Sequence, residues 1–555
     1  MRHENQSMRN VMFSYRSLVL LAVLAPSAHA QISGQVLDSL SLAPIGGALV
    51  TLQATTTRTT TAADGTYTLP IASGANLTIV AANKGHYNAS ISTSAPSTGN
   101  QILLEAVPTM DNGAYPFLTP TNCGMCHYDQ LAEWIASPMA EAGQNTWVYD
   151  VYNGLGSPGG LGGFVYTRDS VFAATNPNSE CAACHQPEPW IMSPGRALED
   201  ISQLSASAMH GISCEVCHKI AHIDESKLNF PGIFPGVVEF SQPYSPDQVE
   251  YGVFGDSDIN MGWMRSSYQP QLTATMCAAC HQDSNDHDED GDFEDAGGVI
   301  SEPTYYEWLA TPYADPADPR AATCVTCHMP GTDATKASSL PFAPTRQAGQ
   351  IREHRIVGTT PEFLENSCEL KVRPARQVGR YLNVDVFVTN TGAGHHVPTG
   401  VTVRNMILLV EAWRISDGQK LKSVGSQMVH DLGGIGDPAL GYYAGLPGKL
   451  FAKVNHDAAG NGPTFYTDAT GILWDNRIPA LATDESAYRF VVPPGSGELR
   501  VRARLIYRRA FRSFVDAKQW TTTGHGQPLE DIAAPYYGHL MEEEEVRLNV
   551  PTGVR

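Results

Sequence analysis

The chain has 555 residues, 36 Lys+Arg against 57 Asp+Glu, and a formal net charge of −21. That length predicts several domains with ample chain for a core, and the acidic balance excludes a nucleic-acid partner held by phosphate contacts. No apolar run approaches 18 residues, so no membrane span is expected, and 42% hydrophobic content with 50 Gly and 37 Pro fits a folded, loop-rich chain.

Residues 1–30 read as a signal peptide. Arg2, Arg9 and Arg16 form a basic n-region, Ser17 to Ala25 a short apolar h-region, and Ala28-His29-Ala30 a small-x-small cleavage site. The predicted mature chain starts at Gln31. Losing three Arg and one Glu leaves 33 basic against 56 acidic residues, net −23. Export implies a periplasmic or cell-surface location in a bacterium. The h-region is too short for an uncleaved anchor. No Cys follows the cleavage site before Cys123, so a lipid anchor is not supported. Such a surface favours redox partners with a basic docking face.

Residues 31–108 are predicted as a β-sandwich. β-formers alternate with turn signals such as Asp64-Gly65 and Ser73-Gly74, and a Ser/Thr/Pro-rich stretch runs from Ser92 to Asn100. Gly34-Gln35-Val36, Pro44-Ile45, Gly47-Ala48-Leu49-Val50, Ala63-Asp64-Gly65-Thr66-Tyr67 and Lys84-Gly85 resemble the carboxypeptidase regulatory-like domain. That resemblance implies packing or adhesion and no catalysis. His86 in this segment reads as an ordinary histidine.

Residues 109–365 carry the chemistry. Ten of the 11 Cys fall into five C-x-x-C-H units: Cys123-Cys126-His127, Cys181-Cys184-His185, Cys214-Cys217-His218, Cys277-Cys280-His281 and Cys324-Cys327-His328. The unit reads as covalent haem c attachment. Two thiols three positions apart form thioethers to the vinyl groups of one porphyrin edge, and the following His supplies the proximal iron ligand. Structural zinc or a redox dithiol would explain one such unit. Five, each followed by His after a secretory signal, point to five haems. The motifs span 206 residues, about 41 each, so the cofactors would form much of the core. A mainly α/loop domain is expected. Cys368 reads as a buried inert thiol.

An internal repeat aligns Leu131–Ala140 (LAEWIASPMA) with Tyr305–Ala314 (YYEWLATPYA), matching Trp134 with Trp308 and Met139 with Tyr313. Two short helices with Trp against a ring face, or two ordinary amphipathic helices, would explain it. Downstream, Asp286, Asp288, Asp290 and Asp292 with Gly291 follow the first half of a Ca²⁺ loop. Position 12 is Gly297 and not Glu, so a full EF-hand fails. A looser Ca²⁺ site and a solvated acidic loop both remain open.

Residues 366–555 return to β patterning and are expected to form a C-terminal sandwich. Tyr381–Thr389 alternates strictly, as does Leu499–Tyr507, where Arg500, Arg502 and Arg504 share one face. That row reads first as a solvated face, and otherwise as a partner for haem propionates or for Glu542–Glu545.

CGMCHYDQLAEWIASPMAEA (123–142), GISCEVCHKI (211–220), MCAACHQD (276–283) and CVTCHMP (324–330) resemble the multihaem cytochrome c-554 family, related to the hydroxylamine-oxidoreductase lineage. The resemblance implies haems packed in parallel and perpendicular pairs, mostly with two axial His. The family's helix after the first motif ends in a His that ligates the third haem; here that position is Met139, a thioether ligand or soft packing. Removing the signal-peptide and motif histidines leaves 11 others. His210, His222, His354, His395 and His396 are the distal-ligand candidates, the last two in a loop (NTGAGHHVPTG) resembling one seen in C-terminal β-domains of such cytochromes. His430, His456, His525 and His539 read as ordinary surface or packed residues.

Two functions are compatible with this pattern. One is electron transfer between redox protein partners along five closed haems, with the β-domains available as surfaces for a homo-oligomer or filament. The other is a multihaem oxidoreductase acting on a small nitrogen or sulfur compound at an open haem. The family's second haem, here Cys181-Cys184-His185, is sometimes five-coordinate. Against catalysis, no C-x-x-C-K motif is present, and five haems are fewer than in octahaem oxidases.

Overall fold

The computed structural model describes residues 31–549 except 72, 263, 374 and 375. The predicted signal peptide lies outside the described residues. Among those described, no helix is long and apolar enough to cross a membrane.

The N-terminal segment is two facing sheets. Ile32–Asp38 pairs antiparallel with Thr66–Leu69 and parallel with Ser97–Leu104. The second sheet orders Arg58–Thr60, Leu49–Leu52, Gly74–Ala82 and Ala89–Ala95. Their inward side chains (Ile32, Val36, Val50, Leu69, Ile79, Ile102) form one core. The Asp64-Gly65 signal is a true turn: Gly65 has φ +75°, and a Cβ there would lie 2.6 Å from the Val36 carbonyl. This sandwich is docked on the central segment. Tyr87 is buried beneath the Arg265 guanidinium, 3.5 Å from ring centroid to Cζ, and its hydroxyl donates to the Asp247 carbonyl. The Asn88 N–H donates to Ser266 O at 2.9 Å.

The central segment has short helices, the longest of eight residues (Tyr128–Ile135 and Ala274–His281). It departs from the expected helix-and-loop picture in carrying three two-stranded ribbons. Ile220–Ile223 pairs with Val238–Phe240, Val249–Gly252 with Arg265–Tyr268, and Asp283–Ser284 with Ile300–Glu302. Strands of two to four residues give too few alternations for a period-2 signal. Its core mixes aromatic residues (Tyr149, Tyr152, Tyr166, Trp190, Tyr251 and Tyr305) with aliphatic ones such as Ile220, Ile223, Val249 and Leu272.

The C-terminal segment is again two sheets. In one, Tyr381–Asn390 lies between Thr483–Val491 and the pair Cys368–Val372 and Arg376–Val378. The other orders Gly448–Phe451, Asn405–Arg414, Glu498–Arg508 and His539–Asn549. Both sheets bury one face in a shared core, where Leu382, Val384, Val386 and Val388 meet Met406, Leu408, Val501 and Leu505. Cys368 is buried there.

The Arg row is not a free solvated face. Arg504 and Arg502 reach Glu411 at 2.7 and 3.4 Å, and Arg500 reaches Glu545 at 3.7 Å. The flanking strands cause this, because their register places Glu411 opposite Arg502 and Glu545 opposite Arg502 on the other side.

Helix Arg512–Lys518 and the loop after it fasten this sandwich to the central segment. Buried Lys518 donates to the carbonyls of Asp150 (2.6 Å) and Gly160 (2.7 Å). The Trp520 indole N–H donates to Asp150 Oδ2 at 2.6 Å, and its ring stacks on Trp147 at 3.9 Å.

Candidate functional site

The five motifs adopt the local form their spacing needs. Cys181–His185, Cys214–His218 and Cys324–His328 are each a single helical turn, the fourth motif ends Ala274–His281, and the first bridges Pro120–Gly124 and Tyr128–Ile135. A helical turn sets thiols at i and i+3 on one face, with the imidazole at i+4 alongside. All ten thiols are unpaired. Burial pushes Cys181 up to about 11 and Cys217 up to about 12.

Four of the five motif imidazoles are oriented by the main chain. Nδ1 of His127 lies 2.7 Å from Ala337 O, that of His185 3.2 Å from Ala142 O, that of His218 2.7 Å from Tyr251 O, and that of His328 2.7 Å from Val357 O. A carbonyl only accepts, so Nδ1 carries the proton and Nε2 keeps its lone pair for a metal. His281 differs: its Nδ1 faces the Glu302 carboxylate at 3.9 Å.

These donors fit haem c better than zinc. A structural zinc needs four converging ligands. Among the described residues, groups of three or more metal-ligating side chains occur only in the acidic loop. Each motif instead presents two thiols and one imidazole.

The motifs converge on one another through their thiols. Cys123 lies close enough to Cys214, Cys184 to Cys280 and Cys277 to Cys324 for each thiol to perturb the other. Cys217 feels the charge of Cys280. The first motif therefore adjoins the third, the third the fourth, and the fourth both the second and the fifth.

The predicted distal residues divide. His395 stands parallel to His328, with ring centroids 6.4 Å apart and planes 10° from each other. Two imidazoles bound end-on to opposite sides of one metal, at roughly 2 Å per bond, have centroids about 6.3 Å apart. Its Nδ1 is tied to His396 O at 2.9 Å, leaving Nε2 free. His354 has Nδ1 tied to Arg352 O at 2.9 Å and lies close enough to His218 and His127 for their charges to interact. Nδ1 of His210 lies 3.0 Å from the buried Glu188 carboxylate. His222 has Nδ1 2.6 Å from Nζ of Lys84, which comes from the N-terminal sandwich. His396 turns to Glu307, at 3.5 Å. Met139 lies against the third motif's approach, its carbonyl accepting from Ile212 N–H at 3.0 Å.

His525 was not singled out by its sequence surroundings. It lies near His185, whose ring feels its charge, with Nδ1 3.2 Å from Glu141 and Nε2 3.3 Å from the Asn145 amide nitrogen. No local motif marks it, because the contact depends on the docked C-terminal loop.

In the acidic loop, carboxylates of Asp286, Asp288 and Asp290 lie within 4.8 Å of one another, and His287, Asp288 and Asp295 form a second such group. Asp292 does not join either; its Oδ1 accepts from Glu294 N–H at 3.0 Å.

Residues 31–105 match the family model for the carboxypeptidase regulatory-like domain. No curated protein sequence matches the chain. Among solved structures it is similar to a penta-heme cytochrome c552 from Thermochromatium tepidum, with TM-score 0.52 and 20% identity, covering 78% of this chain and 99% of that one. At that identity the likeness is one of fold.

Proposed function

We propose that the chain is an exported pentahaem c-type cytochrome, allied to the c-554 family, that carries electrons between periplasmic or cell-surface partners. The observation that carries the reading is the parallel His328–His395 pair, whose centroid spacing is that of two imidazoles on one metal and whose Nδ1 atoms are each tied to a carbonyl, within a chain of five C-x-x-C-H motifs. Haem c supplies the one-electron couple. The chain's own residues do the rest. Each thiol pair would anchor a macrocycle edge, and four of the five motif imidazoles, all but His281, offer Nε2 from a tautomer fixed by a peptide carbonyl. The thiol contacts that join motif one to three, three to four, and four to two and five supply a branched route of neighbouring sites. The acidic surface favours partners with a basic docking face. Three converging carboxylates at Asp286, Asp288 and Asp290 support Ca²⁺ as an accessory ligand.

The test is the electron paramagnetic resonance spectrum of the oxidised, purified protein, with haem counted by mass. Five covalent haems, all low-spin, are expected of a carrier. A high-spin signal that vanishes on adding nitrite or hydroxylamine would replace this reading with the oxidoreductase one. Absence of covalent haem would end both.

A further inference from the structure

The internal repeat is preserved in hydrogen bonds. The Trp134 indole N–H donates to the Ile212 carbonyl at 2.8 Å, and Ile212 N–H donates to Met139 O at 3.0 Å. In the second copy, the Trp308 indole N–H donates to Ala322 O at 2.8 Å, and Ala322 N–H donates to Tyr313 O at 2.9 Å. Ile212 stands two residues before Cys214, and Ala322 two before Cys324. Each Glu-Trp helix therefore clamps the approach to a motif further along the chain.

The residue before each Trp makes a second matching contact. Glu133 Oε2 accepts the backbone N–H of His354 at 2.8 Å. Glu307 Oε2 accepts the backbone N–H of His396, beside His395, at 3.2 Å. One short helix thus fixes together a C-x-x-C-H turn and a segment bearing a further imidazole, and it does so twice. In the second copy the outcome is visible as the His328–His395 pair. In the first, the corresponding rings are those of His218 and His354, each with Nδ1 held by a carbonyl.

We propose that the two copies are one device used twice: His354 is the second axial ligand opposite His218, as His395 is opposite His328, and Glu133 and Glu307 are positioning residues that hold those segments. Met139, like Tyr313, is then packing and not a ligand. The assignment rests on the haem reading above, and it goes beyond that reading by giving each imidazole its iron.

Glu133 is the cleaner probe, because Glu307 also pairs with buried Arg477 at 2.6 Å. The spectra of oxidised holoprotein variants test the proposal. His354→Ala is expected to turn one of the five haems high-spin and leave the rest unchanged. Glu133→Ala is expected to give part of the same signal, whereas Glu133→Gln, which keeps an acceptor oxygen, stays like wild type. Met139→Leu is expected to change no spin state. A fully low-spin His354→Ala, a wild-type spectrum for Glu133→Ala, or a high-spin iron in Met139→Leu would overturn the assignment. If His354→Ala folds poorly, His354→Gly with added imidazole replaces it, and failure of imidazole to restore the low-spin signal would count equally against the proposal. Absence of covalent haem from wild type would instead mark failure of the underlying reading.

Discussion

Trp520→Phe isolates the contact that holds the C-terminal sandwich on the motif-bearing segment. Asp150 is fully buried, and its carboxylate accepts from Ser157 N–H at 2.7 Å, Ser157 Oγ at 2.6 Å and Trp520 Nε1 at 2.6 Å. Phenylalanine removes the last of these and keeps much of the ring over Trp147. A buried hydrogen bond to a charged group contributes about 1.5–3 kcal/mol. The substitution should therefore weaken docking by about 2 kcal/mol, roughly thirtyfold in the open-to-docked equilibrium. A local reporter exists, because the Thr146 amide N–H donates across the contact to Gly524 O at 3.0 Å. Hydrogen exchange at Thr146 should accelerate by about that factor, while amides inside the sandwich, such as those pairing Asn405–Arg414 with Glu498–Arg508, stay unchanged. Exchange at Thr146 within twofold of wild type would refute the latch. Equal acceleration throughout the sandwich would show that the contact stabilises the domain itself and not its docking.

Deprotonating buried Asp531 should cost stability. Burial pushes its carboxyl up to about 6, above the 3.8 of an unfolded chain, so the folded state holds that proton longer and this contribution is lost as pH rises from about 4 towards 6; an Asp531→Asn variant whose unfolding temperature changes over that range as wild type's does would contradict this. Arg346 and Asp256, both almost fully buried and 2.5 Å apart, form a pair whose disruption by Asp256→Ala should cost about 3–5 kcal/mol, against less than about 1 kcal/mol for Glu105→Ala at the more exposed Arg265 pair; equal shifts in thermal unfolding would sink the distinction. Gly143→Ala should displace the turn that orients His185, since a Cβ there would lie 1.9 Å from Ala208 O, and the spectrum of the second haem should change while that of Gly113→Ala, in open space, does not. Adding Ca²⁺ to chelator-treated protein should raise its unfolding temperature, and Asp288→Asn, at a residue common to both clusters, should abolish the rise; an unchanged wild-type temperature would remove Ca²⁺ from the account.

What the sequence made legible was whatever is encoded within a few residues. C-x-x-C-H is a helical turn with its chemistry in consecutive positions, so all five motifs could be read directly. The alternation of Tyr381–Asn390 showed as burial because Leu382, Val384, Val386 and Val388 all face one core. Features set by neighbours stayed hidden. The Arg row reads as solvated until Glu411 and Glu545 arrive from flanking strands. His525 looks ordinary until the loop after Lys518 carries it to His185. The contact of His222 Nδ1 with Lys84 of the N-terminal sandwich has no local signal either. In each case the deciding partner is distant in sequence, where no periodicity can point.

Those distant partners also bear on why three segments are joined in one chain. About 41 residues per motif is too little chain to surround each site with its own packing. The flanking sandwiches make up the difference with specific groups as well as with bulk. The C-terminal sandwich brings His395 beside His328, His525 near His185 and the charge of Arg404 to His281. The N-terminal one brings Lys84 to His222 and Tyr87 to the strand bearing Arg265. An appended adhesion module would touch the centre through a linker; here backbone hydrogen bonds cross both boundaries, at Asn88–Ser266 and at Thr146–Gly524. The sandwiches are therefore parts of the sites' walls, and a boundary drawn from β patterning alone cuts through the groups that complete them.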